Sequence, residues 1–400
     1  MYNPFHILAK PSGSLCNLDC TYCFYLEKEK LYPGAGKMAM SRVVLENYVK
    51  KYIESQNTLV VNFAWQGGEP TLLGLDFFKL AVEVQKQYAG WKRIENTFQT
   101  NGILLDDDWC EFFAGNNFLI GLSIDGPKEI HDKYRVFKGG QSSHDKVLNG
   151  LRLLKKHNVE FNTLTCVQKE NAYHGKTIYN YLKEEGSSYI QFIPIVERID
   201  EKKTGGGLKL ALPAKNENAK VSEWSVEPLQ YGKFLSDVFD EWVKEDVGRI
   251  FVQMFDISLE AWATGRTSLC VFNETCGNAA AMEHNGDVYS CDHYVFPEYK
   301  LGNIIQDNFE TLLYSEKQKK FGDDKKHTLT KYCRECEFKF ACWGDCPKHR
   351  FDVSPDGEYG LSYLCSGYKY FFNHVDKYMN FMTEELKNNR PPANVMKLFS

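Results

Sequence analysis

The first half of the chain alternates short apolar runs with longer amphipathic stretches. The apolar runs predict strands, which in chain order are FHILAK, LVVNFAW, ENTFQT, FLIGLSI, EFNTLTCV and YIQFIPI. The stretches between them have helical spacing: SRVVLENYVKKYIESQ, with Ser41 as the predicted N-cap, LDFFKLAVEVQKQYA, DDDWCEFFAG, HDKVLNGLRLLKKHN and YHGKTIYNYLKEEG. Six successive strand and helix units predict an α/β fold, in which a parallel sheet is covered by helices and curls into a full or partial barrel.

The predicted strands end in polar or glycine-rich segments. These are QGGEP at 66–70, QTNG at 99–102 and SIDGP at 123–127, and the loop CNLDCTYC at 16–23 follows the first strand. Because the chemistry of such barrels lies at the carboxyl ends of the strands, we expect all four segments to meet at one mouth. The alternative is that they are ordinary turns, in which Gly, Pro, Asn and Asp are common.

The loop at 16–23 gathers three thiols, at Cys16, Cys20 and Cys23. A structural zinc site normally has four protein ligands, and a disulfide framework uses cysteines in pairs. Three thiols therefore indicate a metal centre that leaves one coordination position for a group other than protein.

The pattern divides the chain into four predicted parts. Residues 1–230 form the barrel, 231–264 a helical connector, 265–370 a cysteine-rich second domain, and 371–400 a helix and tail that pack back on the barrel. Within the first part, residues 197–224 are rich in Lys, Gly and Asn, which indicates a mobile loop or flap. An inert surface insertion is the open alternative.

The predicted second domain contributes eight cysteines, which make two complete sets of four: Cys270, Cys276, Cys291, Cys333, Cys336, Cys342, Cys346 and Cys365. The run CRECEFKFACWGDC has spacings close to those of ferredoxin-like cluster loops. Zinc could occupy one set but would leave the three-thiol loop unexplained, whereas iron–sulfur clusters account for all eleven residues. The remaining Cys110 and Cys166 are predicted to be buried small hydrophobic residues.

The composition indicates in which class of protein such a metal centre would lie. The chain has 400 residues, of which 43% are hydrophobic and 25% charged, and its formal net charge is -5. It can therefore bury one large core or two modest ones, and nucleic acid is not an expected partner. We find neither a secretion signal nor a window near the roughly 20 apolar residues of a membrane span. We expect a cytoplasmic protein, in which thirteen cysteines favour metal ligation over disulfides.

These motifs resemble those of a known family. CNLDCTYC matches the CxxxCxxC loop of radical S-adenosylmethionine enzymes, and GGEP after the second strand is its companion motif. FAWQGGEPTLLGLDFF, QTNGILL, GLSIDGPKEIHD and VYSCDHYV resemble the anaerobic sulfatase-maturating enzymes more closely still. The resemblance covers nearly the whole chain, including the cysteine-rich extension known as a SPASM domain. Segment 197–224 departs from the family, which leaves substrate contacts there open.

The resemblance implies S-adenosylmethionine and three four-iron, four-sulfur clusters as cofactors. The three thiols of the 16–23 loop would hold the first cluster, whose remaining iron would bind S-adenosylmethionine. Gly67 and Gly68 would let the backbone approach the methionine amino group, Glu69 would accept its hydrogen bonds, and Arg135 would pair with the carboxylate. The predicted cofactor site is completed by Gln99, Asn101 and Ser123.

The auxiliary thiols fall, by the same resemblance, into two sets between which the chain crosses. One set is Cys270, Cys276, Cys291 and Cys346, and the other is Cys333, Cys336, Cys342 and Cys365. A consecutive assignment, in which Cys333 closes the first set, is the simple alternative.

The reaction implied by the family is the two-electron oxidation of a cysteine, or in some members a serine, to formylglycine in a sulfatase precursor with a Cys/Ser-x-Pro-x-Arg motif. Gln66 and Tyr25 would lie beside the substrate side chain. Asp292 would be the base, and we expect burial and the adjacent cluster to raise its pKa. The electron would leave through the auxiliary clusters, and flavodoxin or ferredoxin would serve as the external electron donor.

Two other interpretations remain open at this point. A different SPASM maturase could form a thioether or another crosslink in a ribosomal peptide with the same cofactors. A non-enzymatic electron carrier would explain the cysteines but not QGGEP, Ser123 or Arg135. Asp292 itself could be a turn residue.

Overall fold

An open, ten-stranded sheet lies at the centre of the computed structural model, which describes residues 4–33, 38–200, 208–213 and 218–399. The six predicted strands are present and pair in parallel, each with the next along the chain. They are β1 His6–Lys10, β2 Val60–Trp65, β3 Arg93–Thr100, β4 Phe118–Ser123, β5 Phe161–Val167 and β6 Tyr189–Pro194. The partial barrel predicted from the alternating pattern is therefore confirmed.

The sheet continues beyond the six predicted strands on both sides. Four strands extend it: β9 Phe251–Val252, β10 Ala279–Glu283, β11 Asp287–Tyr289 and β12 Lys300–Asn303. Two separate two-stranded sheets are formed by β7 Arg198–Ile199 with β8 Lys220–Val221, and by β13 Asp352–Val353 with β14 Tyr359–Leu361. In the large sheet the order is β12-β11-β10-β1-β2-β3-β4-β5-β6-β9, and β10 runs parallel to β1. The region after residue 265, which was predicted to be a second, cysteine-rich domain, thus extends the barrel sheet directly. This pairing places Glu283 beside Lys10.

Helices cover the sheet and follow the predicted bounds closely. They are α1 Arg42–Ser55, α2 Leu75–Tyr88, α3 Asp107–Gly115, α4 Lys128–His131, α5 His144–Lys156, α6 Gly175–Glu184, α7 Pro228–Glu245, α8 Gln253–Thr264, α9 Phe309–Leu313, α10 Glu316–His327, α11 Lys331–Arg334, α12 Lys339–Cys342 and α13 Cys365–Lys387. Ser41 caps α1 as predicted, because its side chain accepts a hydrogen bond from Val44 N at 3.3 Å. No helix among the described residues is long and apolar enough to cross a membrane.

Aromatic side chains fill the layer between the first strands and their helices. Tyr48, Phe63, Trp65, Phe78 and Phe98 are all buried. The rings of Phe78 and Phe98 lie 4.9 Å apart, and those of Tyr48 and Phe63 lie 5.3 Å apart, both edge to face. Such large buried rings contribute much of the hydrophobic stabilisation of a core. This packing holds β2 and β3 rigidly, and the loops after these two strands carry part of the site described below.

The C-terminal helix α13 begins at Cys365, so the predicted boundary at residue 370 falls inside it. It packs on α7 and α8, and α7 packs on α6 of the barrel. The predicted packing of this segment on the barrel is therefore indirect, through the helices of the 231–264 region.

Segment 197–224 is only partly described by the structure. Its ends pair as β7 and β8, and the amides of Lys209 and Leu210 donate to Glu27 Oε2 at 2.9 and 3.1 Å. Leu208 is fully buried. The predicted flap stays a prediction for residues 201–207 and 214–217, which lie outside the described residues, while the parts around them are anchored to the barrel.

Candidate active site

A cavity of about 220 Å³ opens at the carboxyl ends of the parallel strands. The four polar segments predicted to share one mouth do meet there. The lining includes all three thiols of the 16–23 loop and all but one of the predicted cofactor and catalytic residues: Cys16, Cys20, Cys23, Tyr25, Gln66, Gly67, Gly68, Gln99, Asn101, Ser123, Arg135 and Asp292.

The QGGEP loop lies directly on the cysteine loop. Gly68 N donates to Gly13 O at 2.7 Å, and Glu69 N donates to Leu15 O at 2.8 Å. A Cβ atom at Gly68 would lie 2.1 Å from Leu15 O, which is closer than real side chains come to a backbone oxygen. Glycine is therefore required here for the contact between two protein loops, a reason that the sequence did not reveal.

Glu69 is the predicted cofactor residue that does not line the cavity. Its Oε1 accepts hydrogen bonds from Thr71 N at 3.1 Å, Thr71 Oγ1 at 2.6 Å and Thr100 Oγ1 at 2.8 Å, and its Oε2 accepts from Asn101 N at 2.7 Å. Burial raises its pKa, and these hydrogen bonds oppose that shift. This fully buried carboxylate joins the loops after β2 and β3, and its predicted contact with the methionine amino group stays a prediction.

Arg135 is held from one side only. Its Nε donates to Asp125 Oδ2 at 3.4 Å, and its guanidinium lies 5.7 Å from the centre of the Tyr22 ring. The Tyr22 hydroxyl also donates to Asp125, whose Oδ1 accepts from Cys166 N at 3.0 Å. This arrangement fixes the direction of the guanidinium in the cavity wall. Among the described residues none accepts a hydrogen bond from its terminal nitrogens, as the pairing predicted with a carboxylate requires.

Two amide side chains orient the rim of the cavity. Asn101 Nδ2 donates to Asn17 Oδ1 at 2.7 Å, which ties the loop after β3 to the cysteine loop. Gln66 Nε2 donates to Gln99 Oε1 at 2.9 Å, and Gln66 Oε1 has no hydrogen-bond partner among the described residues. Gln66 therefore has a free acceptor beside the cavity, which suits the substrate contact predicted for it.

Asp292 forms an ion pair with Lys10 in the cavity wall, where the side chains are 14% and 2% exposed. The ammonium of Lys10 lies 3.8 Å from the centre of the Tyr25 ring, and the Tyr25 hydroxyl donates to Glu283. Burial alone raises the pKa of Asp292, but Lys10 and His293 outweigh that effect and hold the pKa below its ordinary value. The prediction of a raised pKa is therefore wrong, because a buried lysine that no sequence pattern indicated lies beside this carboxylate.

The three thiols of the 16–23 loop suit a cluster that is bound through sulfur. Burial raises the pKa of Cys16 to about 11 and also raises that of Cys23, while Arg135 lowers both. Leu18 N donates to Cys16 Sγ at 3.4 Å. Among the described residues, no three Cys, His, Asp or Glu side chains converge as ligands of one metal ion do. Thiols spaced around a cavity are the arrangement that a multi-iron cluster needs, because each iron takes its own thiolate.

One of the two predicted sets of auxiliary thiols shares a small cavity, which is lined by Cys333, Cys336, Cys342 and Cys365. In the consecutive assignment Cys333 would instead join Cys270, Cys276 and Cys291, none of which lines this cavity. The shared cavity therefore favours the crossed assignment, which stays a prediction for the other four thiols.

Comparison with known proteins identifies the family. Residues 11–182 match the Radical SAM superfamily, and residues 265–337 match SPASM, an iron–sulfur cluster-binding domain. The chain is 50% identical to the serine-type anaerobic sulfatase-maturating enzyme of Bacteroides thetaiotaomicron, over 98% of this chain and 95% of that protein. The chain belongs to the anaerobic sulfatase-maturating enzymes.

Other members of this family are also similar. The cysteine-type anaerobic sulfatase-maturating enzyme of Clostridium perfringens is 36% identical, over 93% of this chain and 96% of that protein. The solved structure of native anSMEcpe with bound AdoMet and the Cp18Cys peptide has a TM-score of 0.83 at 35% identity, covering 96% of this chain and 100% of that one. Streptococcus suis SuiB, with a TM-score of 0.58 at 15% identity over 90% of this chain and 77% of that one, shares the fold alone.

Several residues at the site of this sulfatase-maturating enzyme escaped the sequence analysis. Cys110 is buried as predicted, but Cys166 is partly exposed and lines the cavity, so the prediction that it is a buried hydrophobic residue is wrong. Lys10 and Cys166 lie at or near the carboxyl ends of β1 and β5, which is a signal that could have found them. Glu283 offered no such signal, because the strand that carries it was not predicted.

Proposed function

We propose that the cavity holds S-adenosylmethionine against the first cluster, and that Gln66, Tyr25 and Asp292 receive a serine or cysteine side chain of a sulfatase precursor, which the enzyme oxidises to formylglycine. The observation that carries this proposal is the single cavity that joins the three-thiol loop to the Asp292–Lys10 pair. When bound, the cluster and S-adenosylmethionine supply the 5'-deoxyadenosyl radical that takes hydrogen from the substrate's beta carbon.

The cofactor half of the cavity is built for a zwitterionic amino acid. Arg135 offers its terminal nitrogens to the methionine carboxylate, with Asp125 fixing its orientation. Ser123 and Asn101 line the same half and offer further polar contacts. Glu69 acts behind this surface, by holding Asn101 N in place.

The substrate half of the cavity is built around a carboxylate that is already ionised. Lys10 keeps Asp292 in the form that accepts a proton, and the side chain of Lys10 is almost fully enclosed. Proton transfer to Asp292 would leave Lys10 beside a neutral acid, so the carboxylate of Glu283, which is in register with Lys10, would then balance the ammonium that lies over the Tyr25 ring. In this proposal Asp292 is the general base and Lys10 and Glu283 are positioning residues.

The similarity to a serine-type enzyme at 50% identity, against 36% for a cysteine-type one, supports serine as the preferred target. We propose a Ser-x-Pro-x-Arg or Cys-x-Pro-x-Arg segment as the recognised motif. A flavodoxin or ferredoxin is proposed as the electron donor. The clusters held by the auxiliary thiols would carry the released electron away from the substrate. The first of them would be the one bound by Cys291, which adjoins Asp292.

The test compares two peptides that differ only in serine or cysteine at the target position, incubated anaerobically with reconstituted enzyme, S-adenosylmethionine and a reductant. Mass spectrometry should detect formylglycine from both, and faster from serine. A crosslinked peptide without formylglycine would refute the proposal and favour a thioether-forming maturase.

Asp292→Asn tests the base directly. The variant should bind three clusters and still form 5'-deoxyadenosine, while formylglycine falls at least about 10²-fold, the usual cost of losing a general base. Asp76→Asn is the matched control, because the Asp76 side chain is fully exposed on α2. Formylglycine at the wild-type rate in Asp292→Asn would show that Asp292 is not the base.

A further inference from the structure

A short turn joins the two proposed auxiliary thiol sets. Cys342 belongs to one set and Cys346 to the other, and only Trp343, Gly344 and Asp345 lie between them. All three have positive φ, of 45°, 69° and 60°. Consecutive left-handed residues are rare, since such a conformation disfavours any residue with a Cβ. Some other group must therefore hold this turn in place.

Arg350 is that group. Its Nη2 donates to Trp343 O at 2.6 Å and to Asp345 O at 3.2 Å, and its Nε donates to Gly344 O at 2.8 Å. One guanidinium thus binds three consecutive carbonyl oxygens, which a left-handed turn directs to the same side. Its Nη1 donates to Lys325 O at 2.5 Å, which anchors the guanidinium to α10. Arg350 is 8% exposed, so these bonds are shielded from water.

The opposite side of the turn faces the thiols. The amide of Gly344 donates a hydrogen bond to the Cys342 thiol, and both residues line the small cavity that Cys333, Cys336 and Cys365 share. The carboxylate of Asp345 accepts hydrogen bonds from Ser362 Oγ and His349 Nδ1, both at 2.8 Å. Arg350 therefore binds the carbonyl oxygens of the turn, while Ser362 and His349 bind the Asp345 side chain.

We propose that Arg350 is a positioning residue that fixes the spacing and mutual orientation of the two auxiliary clusters by holding the left-handed turn at 343–345. The inference rests on the proposed thiol assignment. Electron transfer between two clusters weakens steeply with distance, so a turn that spans them must be rigid. Lysine cannot replace this function, because its single ammonium cannot match three fixed acceptors as the planar guanidinium does.

Arg350 could instead serve only as a nearby positive charge, or only as a contact that stabilises the fold. Arg350→Lys tests the first possibility, because it keeps the positive charge but removes the planar set of hydrogen-bond donors. Gly344→Ala perturbs the same contact without changing charge: a Cβ there would lie 2.9 Å from Arg350 Nη2 and 2.5 Å from Leu329 Cδ2. Arg390→Lys is the matched control, because two nitrogens of Arg390 donate to the two carboxylate oxygens of Glu385 near the end of α13.

The measurements are made on reconstituted enzyme without substrate. They are iron and sulfide content, the midpoint potential of each cluster from titrations followed by electron paramagnetic resonance, and the broadening of the auxiliary signals when both auxiliary clusters are reduced. Broadening reports the distance between the two spins, which a general loss of stability does not change selectively. Because no formylglycine is required, failure of this inference is distinguishable from failure of the proposed function.

We expect Arg350→Lys to retain three clusters, with altered broadening and shifted midpoint potentials of the auxiliary clusters only. In a separate assay with substrate peptide, formylglycine per 5'-deoxyadenosine should fall about tenfold or more, on the scale of lost outer-shell partners. Gly344→Ala should change the broadening in the same way, and Arg390→Lys should change nothing. Wild-type broadening and potentials in Gly344→Ala would overturn the proposal, as would loss of all three clusters in both Arg350→Lys and Gly344→Ala.

Discussion

Gly68→Ala should dislodge the cysteine loop that holds the first cluster. The added Cβ would lie 2.1 Å from Leu15 O and 2.5 Å from Leu15 C, and such contacts below 3.0 Å force something to move. Both atoms belong to the backbone just before Cys16, so no side chain can rotate away. The two loops must separate by close to 1 Å along this contact.

The cost of that separation follows from the bonds it breaks. Gly68 N to Gly13 O and Glu69 N to Leu15 O are hydrogen bonds of 2.7 and 2.8 Å, and both would lengthen beyond useful range. Each is worth about 0.5–1.5 kcal/mol, and overpacking of a close contact adds about 1–3 kcal/mol. We expect the free energy of unfolding to fall by about 2–6 kcal/mol.

The assay measures three quantities on the anaerobically purified variant: the melting temperature, the iron content, and the S-adenosylmethionine-dependent change in the signal of the first cluster. The first cluster should be depleted while both auxiliary clusters remain, and 5'-deoxyadenosine formation should fall with it. Gly115→Ala is the matched control, because a Cβ there meets nothing within 4 Å. Gly68→Ala with wild-type stability and a full first cluster would refute this reasoning.

Two further predictions concern buried polar groups. Glu69→Gln turns one acceptor oxygen into a donor facing Asn101 N, so we expect the free energy of unfolding to fall by about 1–3 kcal/mol. The melting temperature should therefore be lower than that of the exposed control Glu111→Gln, and equal melting temperatures would contradict this expectation. Burial and the charge of Arg135 lower the pKa of fully buried His131 well below its ordinary value. Its contribution to stability is therefore complete above about pH 6.5 and is lost as the pH falls toward the folded pKa, by up to about 1.4 kcal/mol per pH unit. His131→Gln should flatten the melting temperature between about pH 7 and pH 5, and an unchanged slope would argue against this linkage.

Local sequence pattern was sufficient for most of the fold. The six strands of the partial barrel and the cap at Ser41 agree with prediction, because side-chain periodicity and capping depend on neighbours a few residues away. The short strands β10 to β12 were not predicted. Only β10 pairs with β1, which is a long-range contact, and β11 and β12 follow it in the sheet. Strands of three to five residues also carry little periodicity of their own.

Cysteine spacing and motif order indicated the class of chemistry and, through the family resemblance, many of the residues that line the cavity. Which side chains face each other was decided by the tertiary structure. Lys10 meets Asp292 only because β1 and β10 pair, and that contact reverses the expected direction of the Asp292 pKa. Gly68 contacts a loop that lies about fifty residues away along the chain. The side chain of Glu69 holds a loop that lies more than thirty residues away. Charge, burial and close approach depend on distance in space, and a motif records only distance along the chain.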